Sequence, residues 1–287
     1  MIICQQTEQL RTSVNEWRKI NETIAFVPTM GNLHEGHLSL VKIAQQKASR
    51  VVVSIYVNPL QFSPDEDFDS YPRTLDDDLE KLKALDVDLV FTPDDSMIYP
   101  EGESQSTFVE VPGLSHVIEG EFRPGFFRGV ATVVLKLFNM VQPDMAVFGE
   151  KDFQQLLVIR QMVNDLDLPV EIIGAEIKRE TDGLAMSSRN NYLDPVEREN
   201  SRILSESLMR FRQNIVQGAT IEQAETACIG TLESNGFVVD YVTLRETDRL
   251  RRVSNDQVDT KKELIILAAA KIGKTRLIDN VKFTIGS

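Results

Sequence analysis

The sequence predicts an α/β protein in which a parallel sheet is flanked by helices on both faces, followed by a smaller α+β domain. Over the first 175 or so residues, short apolar runs alternate with amphipathic stretches, which is typical of strand–helix–strand units. The pattern then changes to two helical stretches followed by strand-like runs. The 287 residues suffice for two domains, which we expect at residues 1–175 and 176–287.

Strands and helices alternate through the first predicted domain. The strands are expected at residues 24–27, 51–57, 88–91, 145–148 and 170–173, and the helices at 38–48, 74–85, 130–141 and 152–166. Residues 51–57 are almost all β-branched, as in a strand buried on both faces. Thr74 is a plausible N-cap, because three aspartates follow it in the first helical turn. Right-handed crossovers then give a Rossmann-like sheet.

The second predicted domain is smaller and carries fewer strands. Helices are expected at residues 195–217 and 221–235, and strands at 238–245, 264–270 and 276–279. A hinge is expected near residues 174–178. We predict that this domain acts as a lid over a site in the first.

Composition excludes several classes of protein. The chain has 31 Lys and Arg against 44 Asp and Glu, so its net charge of −13 argues against nucleic-acid binding. Residues 65–95 alone hold 12 acidic and three basic residues, and most of these acids are interpreted as a solvated face. Residues 1–6 lack the features of a signal peptide, and the apolar run 264–270 is shorter than the about 20 residues that span a bilayer. We therefore expect a cytoplasmic protein without a membrane partner.

Residues 27–37 form the most informative stretch. They contain a strand end, a turn with a glycine and the start of a helix, where N–H groups favour a phosphate. His34 and His37 are three residues apart, so both project from one face of the first turn and can donate hydrogen bonds to phosphate oxygens. Gly36 between them leaves room for a flat base. This arrangement favours nucleotide binding.

Two further segments carry donors suited to phosphates. Residues 148–152 again follow a predicted strand, and the ends of parallel strands are where ligands bind. Lys151 can hold a phosphate there as a point charge. Residues 186–189 supply two serine hydroxyls and the guanidinium of Arg189, which can grip a triphosphate. Either segment alone would be an ordinary turn or loop.

Together these segments resemble one known family, that of the pantothenate synthetases. The resemblance runs in family order across nearly the whole chain, through residues 28–37, 57–62, 71–73, 123–125, 148–155, 182–190 and 276–280. The H-x-G-H pattern alone is shared by all HIGH-type nucleotidyl transferases. The segments 149–155 and 182–190 are far more specific to this family.

The resemblance implies an ATP-dependent ligase that joins pantoate and β-alanine, with Mg²⁺ accompanying the ATP. ATP and pantoate would give pantoyl adenylate and pyrophosphate, and the β-alanine amine would then release AMP and pantothenate, the precursor of coenzyme A. Such enzymes are similar in fold to class I aminoacyl-tRNA synthetases and are usually homodimers. No nucleic-acid partner is implied.

The resemblance also assigns roles to individual residues. His37, His34, Lys151 and Arg189 would be catalytic. ATP would be bound by Met30, Gly31, Asn32, Leu33, His34, Glu35, Gly36, His37, Gly149, Glu150, Lys151, Asp152, Lys178, Met186, Ser187, Ser188 and Arg189. Gln61 would bind pantoate and lie near β-alanine, Gln155 would bind pantoate, and Asn58 and Arg123 would be further substrate residues. No protein ligand is assigned to the metal.

The sequence departs from the family pattern at one position, residue 126. The family commonly has histidine where this chain has Phe126, which cannot donate a hydrogen bond. Either that contact is dispensable or Arg123 and Arg128 supply it.

The nearest rival function is another HIGH-type nucleotidyltransferase, acting on a different small acid or phosphate and keeping the nucleotide on its product. A non-catalytic nucleotide-binding regulator belongs to a different class, and the three intact segments argue against it.

Overall fold

The computed structural model describes residues 1–63, 66–258 and 262–285. They form two compact units. The first contains Met1–Glu150 and Gln155–Glu176, and the second contains Lys151–Gln154 and the described residues from Ile177 onward. The short segment Lys151–Gln154 therefore belongs to the second unit although it lies between stretches of the first.

The first unit is built on a six-stranded parallel sheet. Its strands are β1 (Ile2–Cys4), β2 (Ile24–Thr29), β3 (Arg50–Ile55), β4 (Leu89–Phe91), β5 (Met145–Gly149) and β6 (Glu171–Ala175), in the order β1-β4-β3-β2-β5-β6. The helices up to β6 are α1 (Thr7–Lys19), α2 (Glu35–Lys47), α3 (Leu75–Ala84), α4 (Asp95–Ile98), α5 (Glu119–Phe122), α6 (Phe126–Val141) and α7 (Phe153–Asp165). The order reverses at β2, which puts the end of β2 at the position where such sheets bind ligands.

Helices cover both faces of this sheet, as the sequence predicted. Ala25 and Val27 of β2 share a buried cluster with Val41 of α2. Phe26 points to the opposite face, where its ring lies 6.3 Å from that of Phe138 in α6. Because successive strand residues alternate between faces, a strand buried on both reads as a continuous apolar run. The α/β fold class is confirmed.

The described residues of the second unit form a three-stranded antiparallel sheet and three α-helices. The strands β7 (Phe237–Glu246), β8 (Glu263–Ile272) and β9 (Thr275–Thr284) pair in the order β7-β8-β9. The helices are α8 (Pro195–Ser201), α9 (Ile203–Val216) and α10 (Ile221–Ser234). Phe211 of α9, Leu232 of α10 and Ile266 of β8 are buried in one cluster. This is the smaller α+β architecture that the sequence predicted.

Several element boundaries differ from those predicted. The strand β1 and the helix α1 were not predicted. The strand has only three residues, of which Ile2 and Ile3 are 41% and 48% exposed, whereas α1 buries Leu10, Val14 and Trp17 at a helical spacing that could have identified it. The helix expected at 195–217 is interrupted at Arg202, where the Ser201 hydroxyl donates to the Arg198 carbonyl and offers the chain an alternative to helical hydrogen bonding. The tail strand expected at 276–279 extends over all of β9 because each of its residues is paired with β8.

No membrane-crossing helix occurs in the described parts of the chain. The helix α6 contains 16 residues, fewer than the about 20 that a bilayer requires.

A glycine in α6 permits a close approach of the chain that follows β3. That chain forms a 3₁₀ turn at Pro59–Gln61. A Cβ atom added at Gly129 would lie 2.2 Å from the Leu60 carbonyl oxygen. One added at Gly230 of α10 would have no heavy atom of the described residues within 4 Å apart from its chain neighbours and the backbone of its own helix. The contact at Gly129 therefore sets the distance between α6 and the turn that carries Gln61.

We expect Gly129→Ala and Gly230→Ala to change stability in opposite directions. Gly129→Ala should lower the free energy of unfolding by about 1–3 kcal/mol, since backbone must move to admit the methyl group. Gly230→Ala should raise it by about 0.5–1 kcal/mol, because alanine restricts the unfolded chain and fits an open helical position. Urea denaturation measures both. A similar change in the two variants would contradict the close approach of turn and helix.

Candidate active site

The turn that follows β2 has an unusual and tightly specified backbone. Gly31 and Asn32 have φ angles of +80° and +49°, both in the left-handed region. The Thr29 hydroxyl donates to the Ser54 carbonyl over 2.8 Å and accepts from the Gly31 N–H at 3.3 Å. A Cβ atom at Gly31 would lie 3.1 Å from the Asp78 carboxylate and 3.2 Å from the Ile55 side chain. Glycine suits this position both for its conformation and for the lack of space.

Two side chains of α3 hold this turn by its main chain. The buried Asp78 carboxylate accepts from the Asn32 and Leu33 N–H groups over 2.8 and 2.7 Å. The Lys81 ammonium donates to the Leu33 carbonyl over 2.8 Å. Thr74 occupies the N-cap position as predicted, but its hydroxyl contacts Asp78 at 3.2 Å and makes no side-chain cap. Charged partners make stronger hydrogen bonds than neutral ones, so α3 fixes the turn firmly.

The two histidines lie side by side at the start of α2. His34 is the N-cap residue, and its Nδ1 accepts from the Gly36 N–H over 3.1 Å. The His34 N–H in turn donates to His37 Nδ1 over 3.4 Å, and the ring centroids are 4.1 Å apart. An imidazole that accepts a hydrogen bond at Nδ1 carries its hydrogen on Nε2 when it is neutral. The pair thus carries two Nε2–H donors on one face of the first turn.

Main-chain donors of this segment are used within the protein. The N–H groups of Asn32, Leu33, His34 and Gly36 donate to the side chains described above. The sequence predicted that N–H groups at this helix start would favour a phosphate. In the folded chain these four groups have protein acceptors, and their hydrogen bonds fix the turn and the start of α2.

A cavity of about 310 Å³ lies at the carboxyl ends of β1, β4, β3 and β2. Its wall includes Met30, Gly31 and Tyr56. The Tyr56 hydroxyl donates to Asp95 over 2.8 Å, and burial together with this bond raises the pKa of Tyr56, so the group stays protonated. Among the residues that the structure describes, the wall includes part of the predicted ATP segment but neither Gln61 nor Arg123.

A chain of hydrogen bonds orients Gln61. Asn58 is buried, and its Nδ2 donates to the Gly129 carbonyl at 3.2 Å and to Gln61 Oε1 at 3.0 Å. The Tyr99 hydroxyl donates to Asn58 Oδ1 over 2.7 Å. Burial raises the pKa of Tyr99, with Glu103 and Asp95 adding to the effect, so its hydroxyl remains a donor. Since Gln61 Oε1 is an acceptor here, the Gln61 amide can offer its NH₂ group to a substrate oxygen.

Arg123 is held by acidic groups and by an aromatic ring. Its guanidinium donates to both carboxylate oxygens of Glu66 over 2.7 and 2.6 Å and to the Gln61 carbonyl over 2.9 Å. Glu119 lies 3.6 Å away, and the ring of Phe126 is centred 3.7 Å from the guanidinium carbon. Phe126 therefore packs against Arg123, a favourable cation–π contact, in place of the hydrogen bond that histidine could make. Arg128, the other cation considered for this contact, lies over the ring of Phe108 at 4.8 Å.

The second unit carries the other two predicted segments. Lys151 and Asp152 belong to a 3₁₀ turn, with Lys151 Nζ 3.8 Å from the Asp152 carboxylate. Residues 178–186 form a hairpin, in which the Met186 N–H donates to the Lys178 carbonyl. The Ser187 hydroxyl then accepts from the Arg189 N–H at 3.3 Å and caps a 3₁₀ helix at Ser188–Tyr192.

The remaining predicted residues are close to these segments in sequence. Gly149 ends β5 and Glu150 begins the 3₁₀ turn, while Gln155 lies partly exposed on α7. Glu35 lies in the first turn of α2 at 3.8 Å from Lys42.

Comparison with known proteins identifies the family. The family described as pantoate-beta-alanine ligase matches residues 2–282. Pantothenate synthetase of Shewanella oneidensis is 52% identical over 283 residues, 99% of each chain. The chain belongs to the pantoate-beta-alanine ligase family. It is accordingly a ligase that joins pantoate and β-alanine.

Two solved structures of pantoate-beta-alanine ligases support the assignment. A pantothenate synthetase from Thermus thermophilus shares 43% identity and a TM-score of 0.89, covering 98% of this chain and 99% of that one. A pantoate-beta-alanine ligase from Francisella tularensis, complexed with beta-gamma ATP and beta-alanine, shares 35% identity and a TM-score of 0.81 over 98% of this chain and 97% of that one.

Several residues that support this ligase's predicted site were missed by sequence reasoning. Asp78 was included among acids interpreted as solvated, although it lies four residues before Leu82 on the buried side of α3. That helical spacing was a signal that could have identified it. Lys81, Tyr99 and Glu66 gave no comparable signal, because their partners are distant in sequence.

Removal of the Asp78 carboxylate should destabilise the ligase. Asp78→Ala leaves the Asn32 and Leu33 N–H groups without their acceptor, and we expect a loss of about 3 kcal/mol in the free energy of unfolding. Asp78→Asn keeps one acceptor oxygen and should cost about 1–2 kcal/mol. The exposed neighbour Asp77 offers a matched control, since Asp77→Ala should change stability by less than about 0.5 kcal/mol. If chemical denaturation gives equal losses of unfolding free energy for Asp78→Ala and Asp77→Ala, the hydrogen bonds of Asp78 to the turn do not stabilise the protein as expected.

Because Gln61 is a predicted pantoate residue, loss of the Tyr99 hydroxyl should weaken pantoate binding more than ATP binding. Tyr99→Phe removes the donor to Asn58 and so loosens the amide that orients Gln61. We expect the KM for pantoate to rise about threefold to tenfold, as for the loss of one hydrogen bond. Steady-state kinetics provides an internal control, because the KM for ATP should stay within about twofold. A rise in the ATP constant alone would show that this chain of hydrogen bonds serves a different substrate.

Proposed function

We propose that the ligation proceeds through a pantoyl adenylate. A pantoate carboxylate oxygen attacks the α-phosphorus of ATP, and the bond to the β-phosphate breaks to release pyrophosphate. The β-alanine amine then attacks the acyl carbon, the bond from that carbon to the adenylate oxygen breaks, and AMP leaves with the new amide formed. The amine proton passes to water or phosphate. The observation that carries this proposal is the pair of adjacent imidazoles at the start of α2, at the carboxyl edge of the parallel sheet.

We propose that the chain provides donors for the first step and no general base. Free carboxyl groups titrate near pKa ~4, so pantoate is already a nucleophile at neutral pH. The growing phosphate charge needs preorganised donors instead. His34 and His37 would supply their Nε2–H groups, and Lys151, Ser188 and Arg189 would add donors to the ATP phosphates. The Francisella tularensis enzyme, complexed with beta-gamma ATP and beta-alanine, supports an ATP-dependent reaction in this family.

We propose that neutral amides select pantoate. Gln61 and Gln155 can orient the pantoate hydroxyls without adding charge near the reacting carboxylate. Asn58 would orient the Gln61 side chain and would not contact pantoate itself, because it is buried and hydrogen-bonded to the Gln61 side chain. Arg123 would act on the same residue through the Gln61 carbonyl, since Glu66 pairs with its guanidinium.

We also infer the setting of the reaction from the family resemblance. Mg²⁺ would be bound by the ATP phosphates, where it neutralises charge. No group of three or more His, Cys, Asp or Glu side chains able to hold a metal is found among the described residues, and Mg²⁺ commonly takes substrate phosphates and water as ligands. The resemblance further supports a HIGH-type role for the histidines and a cytoplasmic homodimer.

ATP–pyrophosphate exchange tests this proposal. We expect exchange that depends on pantoate and does not occur with amino acids. His37→Ala should slow it by about 10²-fold or more, as for the loss of one preorganised donor. His116 offers a matched control, because its side chain is 59% exposed and pairs with Glu110, so His116→Ala should leave the rate unchanged. Normal exchange in His37→Ala would remove this residue from the mechanism, and a nucleotide-capped product would favour the rival transferase.

A further inference from the structure

The tail strand β9 carries a buried carboxylate and a buried amide that the reaction above does not use. Asp279 and Asn280 are 3% and 2% exposed, and they are paired with Ala268 and Leu267 of the apolar strand β8. Polar groups in such surroundings are costly unless they have hydrogen-bond or ionic partners. The hydrogen-bond and ionic partners of Asp279 and Asn280 therefore indicate what these two residues do in the fold.

Asp279 forms a two-bond ion pair with Arg179. Its carboxylate oxygens lie 2.7 and 2.9 Å from the two terminal nitrogens of the guanidinium. The same nitrogens donate to the Gly183 carbonyl at 3.0 Å and the Asn280 carbonyl at 3.2 Å. One planar guanidinium thus joins the tail strand to the turn of the hairpin at residues 178–186, a geometry that lysine cannot reproduce.

The hairpin held in this way leads directly into a predicted ATP segment. Arg179 is bridged to Ala185, and the next residue, Met186, begins the segment that ends at Arg189. The Asn190 side chain donates to the Ala185 carbonyl at 3.1 Å and closes the segment onto the same strand of the hairpin. The position of the serine hydroxyls therefore depends on the ion pair at the base of the hairpin.

Asn280 contacts the other predicted ATP segment of this unit. Its Nδ2 donates to the Lys151 main-chain carbonyl over 3.0 Å. Two residues further along β9, the Lys282 ammonium lies 5.9 Å from the centre of the Phe153 ring. Because successive side chains of a strand point to opposite faces, Asp279 and Asn280 can reach different segments.

We propose that Asp279 and Asn280 are positioning residues for the ligase reaction, Asp279 acting through Arg179 on residues 186–189 and Asn280 acting on Lys151. This inference rests on the proposed function, in which Lys151, Ser188 and Arg189 donate to the ATP phosphates. Neither tail residue is required to touch a substrate. Their side chains set where the donors stand before ATP arrives, and preorganised donors are the ones that lower an activation barrier.

Pantoate-dependent ATP–pyrophosphate exchange by the full chain tests the inference. Asp279→Asn and Asn280→Ala should each lower kcat/KM for ATP by about tenfold, less than the 10²-fold or more expected when a donor itself is lost. The KM for pantoate should stay within about twofold. Asn280→Ala keeps the buried ion pair, so it remains informative where Asp279→Asn folds poorly.

A matched control separates positioning from general destabilisation. Asp240 of β7 pairs with Arg276 of β9 over 2.7 Å in the same sheet, and both side chains are largely buried. Asp240→Asn should lower the melting temperature without changing the exchange kinetics. In a Lys151→Met background, Asn280→Ala should cause less than about twofold further loss, because residues that act as one unit are not additive.

The outcomes distinguish this inference from the proposed function. One outcome would overturn the positioning role and leave the proposed reaction intact. In it, the unmodified chain catalyses exchange, and the Asp279→Asn and Asn280→Ala variants are no slower than Asp240→Asn. A full tenfold effect of Asn280→Ala in the Lys151→Met background would also overturn it, since about tenfold is the whole loss expected of that variant alone. An unmodified chain that shows no pantoate-dependent exchange would instead overturn the proposed function, and the inference with it.

Discussion

The main chain of Leu33 is held from both sides by one helix, with the Asp78 carboxylate on its N–H and the Lys81 ammonium on its carbonyl. This contact constrains a turn in which two successive residues are left-handed, a conformation that glycine adopts freely and asparagine more readily than most other residues. The direction in which α2 starts follows from that turn. So does the position of both histidines, because His34 is the cap of the helix and His37 lies one turn further on.

The residues predicted to bind substrates share one feature, which is that buried polar side chains hydrogen-bond to them or to the segments that carry them. Gln61 is oriented by Asn58, which is itself buried and bonded to Tyr99. In the second unit, buried polar groups of the tail strand contact the segment that contains Lys151 and the hairpin that leads into Ser187. The residues predicted to bind substrates thus have buried polar partners, and such partners hold side-chain rotamers and main chain in place.

Phe126 illustrates how a departure from a family pattern can be accommodated. The guanidinium of Arg123 lies against its ring, and the charge is matched by Glu66 and Glu119. An aromatic ring in this place stabilises the cation without offering a hydrogen bond. The guanidinium also donates to the Gln61 carbonyl and so holds the main chain of that residue.

Local patterns in the sequence determined the fold class and predicted the principal segments of the site. Continuous apolar runs identified the strands buried on both faces, and the spacing of His34 and His37 placed both rings on one face, because these properties depend on residues that are neighbours along the chain. The tertiary structure alone decided that Asp78 accepts from the Leu33 N–H, that Tyr99 and Gly129 hold the Asn58 side chain, and that the tail strand continues beyond Asp279. Each of these depends on a partner remote in sequence, whose approach no local spacing encodes.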